Sequence, residues 1–412
     1  MSCEPFHPSR RAVLGLGGTL TAWAFMPRTA SAAGARDPRF VTIVLRGAMD
    51  GLSAVAPVAD PDYMALREGI ALTKDGENAG IPLDGFFVLH PSMPVFARLW
   101  QANQALVVHA TATHYRDRSH FDGQDVLESG QPGPGRLDSG WLNRAIALLP
   151  AGDRIALRGG LGIGSIAPLV IRGEAPVLGW APQSLPKAED STAGRILDLY
   201  RHTDPALAAA LSRGLATDKM ASRSGLSGDA ARPRGGADSV EGMKHIASGA
   251  ARLIAQDDGP RVAALAFEGW DTHVNSGGAK GRLATLLSGL DAAIGVFETT
   301  LGEAWKQTTI LVVTEFGRTA RVNGTVGTDH GTATVAFLVG GGIAGGRIIA
   351  DWPGLSAPSL HEGRDLKPTT DLRGVIKGVL ADQLGLSPKM LGETVFPDSG
   401  GVQPVKGLVA GG

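Results

Sequence analysis

Five short apolar runs constrain the fold of this chain more than any other feature. Phe40 to Leu45, Ala105 to Val108, Arg261 to Phe267, Thr309 to Val313 and Val335 to Val339 lack the polar alternation of a strand with one wet face. Runs of that kind are strands buried on both sides, as in a parallel sheet covered by helices. Helical stretches lie between or after them: Arg195 to Leu215, Ser239 to Ala255, Gly281 to Trp305, Asp371 to Leu384, a shorter one through Trp100 and another starting at Trp141. The chain therefore reads as α/β, with a mostly parallel central sheet flanked by helices.

With 412 residues, 43% of them hydrophobic and 19% charged, one large α/β domain or two smaller ones can be built. A single domain over residues 33–412 is expected, with a mobile loop near 221–237, where Ser, Gly, Arg and Ala replace large apolar residues. The formal charge of -1 gives no basis for a nucleic-acid or polyanion partner.

Residues 1–32 are set aside from the fold. Ser9-Arg10-Arg11-Ala12-Val13-Leu14 opens an apolar run that ends at Ala30-Ser31-Ala32, the pattern of a twin-arginine signal peptide with an A-x-A cleavage site. A membrane anchor is the weaker alternative, because Val13 to Met26 is too short for a hydrocarbon layer of roughly 30 Å. The expected partner is the twin-arginine export machinery, and the expected location is periplasmic or secreted, with no stable membrane anchor after cleavage. Cleavage also removes Cys3, the only cysteine, so neither a disulfide nor a thiol ligand is available to the mature chain. That route carries folded proteins, which allows a metal to be loaded before export.

Polar clusters follow or adjoin several of the apolar runs. Arg46-Gly47-Ala48-Met49-Asp50-Gly51 follows the first, Thr111 to Asp122 the second, and Gly269-Trp270-Asp271-Thr272-His273 the third. Thr314-Glu315-Phe316-Gly317-Arg318-Thr319 follows the fourth, and Gly327-Thr328-Asp329-His330-Gly331 precedes the fifth. Open α/β sheets bind ligands in the crevice beyond the strand carboxyl ends, so these residues are placed to share one site. Any one of them alone is more simply a polar turn residue; Asp50-Gly51 alone is an ordinary turn. Together Asp50, Asp271, His273, Glu315, Asp329 and His330 make a candidate metal set. Four carboxylates and two imidazoles suit Zn, Mn, Mg or Ca without choosing among them. Asp271 and His273, two apart in an extended segment, point to one side and can reach one ion.

Ser119 has two readings. It can cap a helix beginning at His120, with Asp122 in the first turn. Alternatively its hydroxyl, next to His120 and in the positive field of Arg116 and Arg118, is catalytic.

The same residues resemble a known family. Leu45 to Gly51, Arg118-Ser119-His120-Phe121, Gly269 to His273, Thr314 to Thr319 and Asp329-His330-Gly331 look like the motifs of an exported bacterial family catalogued as domain of unknown function 1501. That family is similar in fold to the alkaline phosphatase and sulfatase superfamily, so the resemblance implies an alkaline-phosphatase-like sheet. It further implies that Asp50 matches the first-strand metal carboxylate, that Asp271 and His273 match an aspartate-plus-histidine pair, and that His330 matches a late metal histidine. Phe316 stands where the superfamily has a histidine, beside Glu315, which leaves a second metal site short of a ligand. No C/S-x-P-S-R sulfatase nucleophile motif occurs, so Ser119 or Thr113 is the phosphatase-like option.

Taken together, these features lead to an exported, metal-dependent hydrolase of phosphate or sulfate esters, acting on a small-molecule or glycan ester. Ser119, His120 and Arg318 are its catalytic candidates and Arg46, Arg116 and Arg118 its anion-binding candidates. The alternative is a non-catalytic binding or assembly protein that keeps the fold with an eroded site.

Overall fold

The computed structural model describes residues 37–410, apart from 136–137, 151–152, 154, 156–157, 183–189, 228–231 and 233. The expected signal peptide, Cys3 and part of the expected 221–237 loop lie outside the described residues. Pro38–Gly412 forms one compact unit.

Nine strands make the main sheet: β1 (Arg39–Leu45), β2 (Ala105–Ala112), β3 (Gly160–Ile163), β4 (Val177–Trp180), β5 (Val262–Phe267), β6 (Thr308–Thr314), β7 (Thr334–Val339), β8 (Arg347–Ile349) and β9 (Thr370–Asp371). Their spatial order is β8-β2-β7-β6-β1-β5-β3-β4, with β9 also paired to β2. Every pairing is parallel except the two made by β7, which runs against both β2 and β6. The carboxyl ends of β1, β2, β5 and β6 therefore meet at one edge, and the amino end of β7 arrives there from the opposite direction. All the polar clusters singled out in the sequence fall at that edge.

The absence of alternation in β1 has a direct cause. Val41, Ile43 and Leu45 pack into one apolar cluster, Phe40 and Val44 into another, because successive side chains leave opposite faces of a strand. On the first face the cover comes from α2 (Pro94–Gln101), α7 (Val240–Ala255) and α8 (Arg282–Leu301), on the second from α4 (Trp141–Ala147) and α9 (Leu372–Leu384). Burying a Val, Ile or Leu side chain contributes roughly 1.5–3 kcal/mol, so a charge at Ile43 would break the sheet at its centre. The remaining helices that matter here are α1 (Gly51–Ala54), α3 (His120–Ser129), α5 (Asp190–Thr203) and α6 (Pro205–Arg223).

One helix boundary corrects the sequence expectation. The stretch expected as one helix from Arg195 to Leu215 is two, α5 and α6, divided at Asp204-Pro205. Proline has no N–H to continue a helix but suits its first position, and the Asp204 carboxylate accepts from Ala206 N–H and Leu207 N–H at 3.0 Å each. Helix α6 then runs on to Arg223, into the start of the segment expected as a loop. Among the described residues no helix is long and apolar enough to cross a membrane.

Candidate metal centre

Two strand-end turns, after β1 and after β5, press directly on one another. Gly47 has φ +121, and a Cβ there would sit 2.5 Å from the Asp271 backbone nitrogen, so only glycine fits. Beneath the contact lies Glu315, fully buried at the end of β6. Its Oε1 accepts from Gly47 N–H at 2.9 Å and from Gln124 Nε2 at 3.1 Å, and its Oε2 accepts from the Thr314 hydroxyl at 2.8 Å.

Arg318 staples the loops together. Its buried guanidinium donates to Ala48 O (2.6 Å), Gly47 O (2.5 Å), Trp270 O (3.2 Å) and Thr328 O (3.0 Å). It also donates to Asp271 Oδ1 at 2.6 Å, which fixes that carboxylate. Arg318 is thus a positioning residue, its donors directed at protein acceptors.

Three histidines surround Asp271, each with one ring nitrogen committed to an oxygen. His120 Nδ1–H donates to Glu315 Oε1 at 2.8 Å, His273 Nδ1–H to Asp329 Oδ1 at 3.3 Å and His330 Nδ1–H to the Arg118 carbonyl at 2.9 Å. Ionised carboxylates and carbonyls only accept, so in the neutral rings the proton sits on Nδ1 and Nε2 keeps its lone pair. Those Nε2 atoms converge on Asp271: His273 lies 3.0 Å from Oδ1, His330 3.5 Å from Oδ1 and His120 3.4 Å from Oδ2. Donor atoms of His120, Asp271 and His330 all lie within 4.8 Å of one another, and His273 Nε2 is 2.9 Å from His330 Nε2.

This donor set fits a divalent ion. Two imidazole lone pairs facing each other at 2.9 Å repel unless a proton or a cation stands between them. His120 Nε2 is buried with no hydrogen-bond partner, an uncompensated polar atom that a ligated ion would satisfy. Histidine ligands held through their other nitrogen by a carboxylate or carbonyl are the usual supporting arrangement of a metal site.

Electrostatics follow the same geometry. The Glu315 hydrogen bond raises His120 above the ordinary imidazole range against the opposing effect of burial, making its Nε2 more basic. Burial works to raise Glu315, but hydrogen bonds from His120, Gln124 and Gly47 N–H outweigh it and hold the carboxyl below its usual value. Asp271 is likewise held low, the Arg318 guanidinium outweighing burial. Burial and the neighbouring His120 push His330 down, so this ring is neutral and able to ligate.

The other expected site residues fall elsewhere. Asp50 is buried, with Arg67 Nη2 at 2.5 Å from Oδ1, Arg67 Nη1 at 2.9 Å from Oδ2, Leu52 N–H at 3.1 Å and the Ser53 hydroxyl at 3.1 Å; it caps α1 and pairs Arg67, apart from the histidines. Glu315 and Asp329 hold the rings. Arg46 is engaged by Glu128 (2.7 Å) and Glu268 (3.4 Å), Arg118 by Asp365 (2.8 Å) and Glu362 (2.6 Å), and Arg116 by the carbonyls of Thr113 and Tyr115. Ser119 stands at the N-cap of α3, but its side chain makes no capping bond, so capping does not account for it. Phe316 is buried with its ring stacked on His120, centroids 5.1 Å apart at 26°.

Sequence reasoning missed two residues here. Gln124, one turn after His120 on α3, supports Glu315. Asn323, in what read only as a Gly/Asn-rich turn, donates to His273 O and to Asp329 Oδ1, each at 3.0 Å, and its Oδ1 accepts from Thr325 N–H and Gly327 N–H. An asparagine followed by Gly-Thr was the one available signal, since such side chains bond their own loop backbone.

Fold and centre together define an α/β protein that gathers three imidazoles and a carboxylate at the strand ends of one sheet. A family model matches residues 37–395, and the chain belongs to that family, described as a protein of unknown function (DUF1501). The match agrees with the resemblance carried by the strand-end motifs. No curated protein matches the chain. Among solved structures, the chain is similar to Ps i-CgsB in complex with k-i-k-neocarrahexaose, at 11% identity and a TM-score of 0.41, over 90% of this chain and 77% of that one. It is also similar to the phosphonate monoester hydrolase of Agrobacterium radiobacter, at 14% identity and a TM-score of 0.31, over 89% and 78% of the two chains. At these values neither neighbour bears on the chemistry, which rests on the side chains of this chain.

Proposed function

We propose that this protein is an exported hydrolase of phosphate or sulfate esters, dependent on one divalent transition-metal ion held by Nε2 of His120, His273 and His330 and by Asp271. The observation that carries this is the orientation of the three rings, each tied at Nδ1 and turned with its lone pair toward Asp271. Imidazole ligands favour zinc or a similar ion over Mg, Ca or Mn, which prefer oxygen ligands. Bound there, such an ion would supply Lewis-acid chemistry toward an ester. Glu315 and Asp329 orient the rings, and Arg318 orients Asp271. Ser119, beside His120 and free of capping duty, is the nucleophile this reading favours, with Thr113 as the alternative. The ester class comes from the family resemblance, and export comes from the twin-arginine pattern in residues 1–32.

A second reading, a binding or assembly protein, is supported by one observation. Of the arginines expected to grip an anion, Arg46 and Arg118 are engaged by carboxylates of the protein itself and Arg116 by backbone carbonyls.

Metal analysis of the protein purified without chelator separates the two. About one zinc or similar imidazole-preferring ion per chain is expected, lost in Asp271→Ala, together with turnover of aryl phosphates or sulfates that the same variant abolishes. Metal content well below one ion per chain in the wild type would sink the hydrolase reading. Full occupancy without turnover would favour the binding protein.

A further inference from the structure

We infer that a cleft between α7 and α8, separate from the metal centre, binds a small phosphate monoester as its dianion.

The cleft has a volume of about 350 Å³, within the range of small-molecule sites, and none of the strand-end histidines or carboxylates lines it. Lys244, Ser248 and Arg252 line it from α7 at four-residue spacing, which puts them on one helical stripe with His245 beside them. Thr299 and Thr300 line it from the last turn of α8, the end that leads toward the amino end of β6, whereas the histidines gather at the carboxyl edge. Arg234 adds a second guanidinium from the loop before α7.

Charge balance selects an anion. Three cations, Arg234, Lys244 and Arg252, share the cleft with one carboxylate, Glu241, and Lys244 takes that carboxylate at 2.9 Å. Among the described residues no carboxylate pairs with Arg234 or Arg252. Arg252 reaches only the carbonyls of Ser224 and Gly225, each at 3.4 Å, near the long limit of a hydrogen bond.

The two unpaired arginines act on one ring. Burial, with Arg234 and Arg252 adding to it, pushes His245 below the ordinary imidazole range, so the ring is neutral. Its Nε2 is buried without a hydrogen-bond partner, an unsatisfied polar atom where those charges converge. An anion in the cleft would accept from Nε2–H and neutralise both guanidinium groups. Two positive charges stand uncompensated, and a phosphate monoester carries nearly two negative ones at pH 7, where a sulfate monoester carries one. Guanidinium forks also match phosphate oxygens in geometry. Leu226 and Val296 give the cleft an apolar wall, so a body of a few carbons fits beside the phosphate.

Glycerol 3-phosphate, titrated calorimetrically into the full chain, is the probe. The titration is run on the wild type and on Asp271→Ala, so that binding at the metal centre is recognised by its loss in that variant. Cleft binding is expected to persist in Asp271→Ala and to weaken about tenfold in Arg252→Gln and about threefold in His245→Phe. Arg252→Lys keeps the charge without the fork and should lose only about threefold, which separates loss of the site from loss of the fold. Methyl sulfate, with its single charge, should bind about tenfold more weakly than glycerol 3-phosphate. Arg201→Gln, which removes an exposed charge on α5, is expected to bind as the wild type does. No binding in Asp271→Ala, an equal loss in Arg201→Gln, or methyl sulfate binding as tightly as glycerol 3-phosphate would each overturn the inference. A wild type without metal would count against the hydrolase reading alone, and the same titration would still decide the cleft.

Discussion

Asp50 and Asp271 follow adjacent parallel strands whose last residues, Leu45 and Phe267, are paired in register, and both lie in glycine-containing turns. Their environments are opposite. Asp50 is buried and saturated by Arg67, a backbone N–H and a hydroxyl, whereas Asp271 is 43% exposed and ringed by three imidazole nitrogens. The local sequence places a carboxylate at the sheet edge; the long-range partner that meets it decides its use. Arg67 makes one aspartate a fastening, and His120, His273 and His330 make the other a ligand.

Breaking the fastening has the largest expected effect. Asp50→Ala leaves the Arg67 guanidinium buried without its counter-charge, which costs on the order of 3–5 kcal/mol. Urea unfolding should register that loss, and Asp50→Ala combined with Arg67→Met should recover part of it. Asp271→Ala should change stability far less, because Arg318 keeps four backbone carbonyls. A smaller loss in Asp50→Ala than in Asp271→Ala would reverse the assignment.

Histidines divide in the same way. His109, inside β2, is fully buried, its Nε2–H donating to Val55 O at 3.0 Å and its Nδ1 accepting from Ala110 N–H at 2.7 Å. Both nitrogens are spent within the core, and burial lowers its pKa to about 4. The unfolded imidazole takes a proton near pH 6.5 while the folded one refuses it until about 4, so stability falls as pH drops through that window. Between pH 7 and pH 5 the loss from this residue is about 2 kcal/mol, read as the part of the shift in urea midpoint that His109→Gln removes. An unchanged pH dependence in His109→Gln would show that the ring is not held neutral by the core.

How much of this was legible depended on the range of the interaction. The β-branched runs announced β1, β5, β6 and β7 because burial on both faces is written into consecutive residues. Gly160–Ile163 and Val177–Trp180 were not individually legible, since glycine and short length blur the strand signal and neighbouring strands supply the pairing. At the site, His120, Asp271, His273 and His330 carried a signal in their motifs. The employment of Asp50 by Arg67 did not, because no pattern links a carboxylate to an arginine 17 residues on. Arg46 and Arg118 misled for the same reason: a free-looking guanidinium in sequence meets Glu128 or Asp365 only after the chain has folded.

The smallest effect sharpens the comparison within the centre itself, between the two carboxylates that hold imidazoles. Glu315 is buried and holds His120 at 2.8 Å; Asp329 is 57% exposed and holds His273 at 3.3 Å. Glu315→Gln keeps an acceptor for His120 Nδ1–H but removes the charge that raises the ring's basicity, which should weaken zinc binding roughly tenfold. Asp329→Asn makes the same chemical change where water screens the charge and the bond is long, so about a two- to threefold loss is expected. Competition against a chromophoric zinc chelator measures both. Equal losses would mean that burial does not govern how strongly these carboxylates tune their histidines, and a greater loss in Asp329→Asn would make His273, rather than His120, the ring on which the ion chiefly depends.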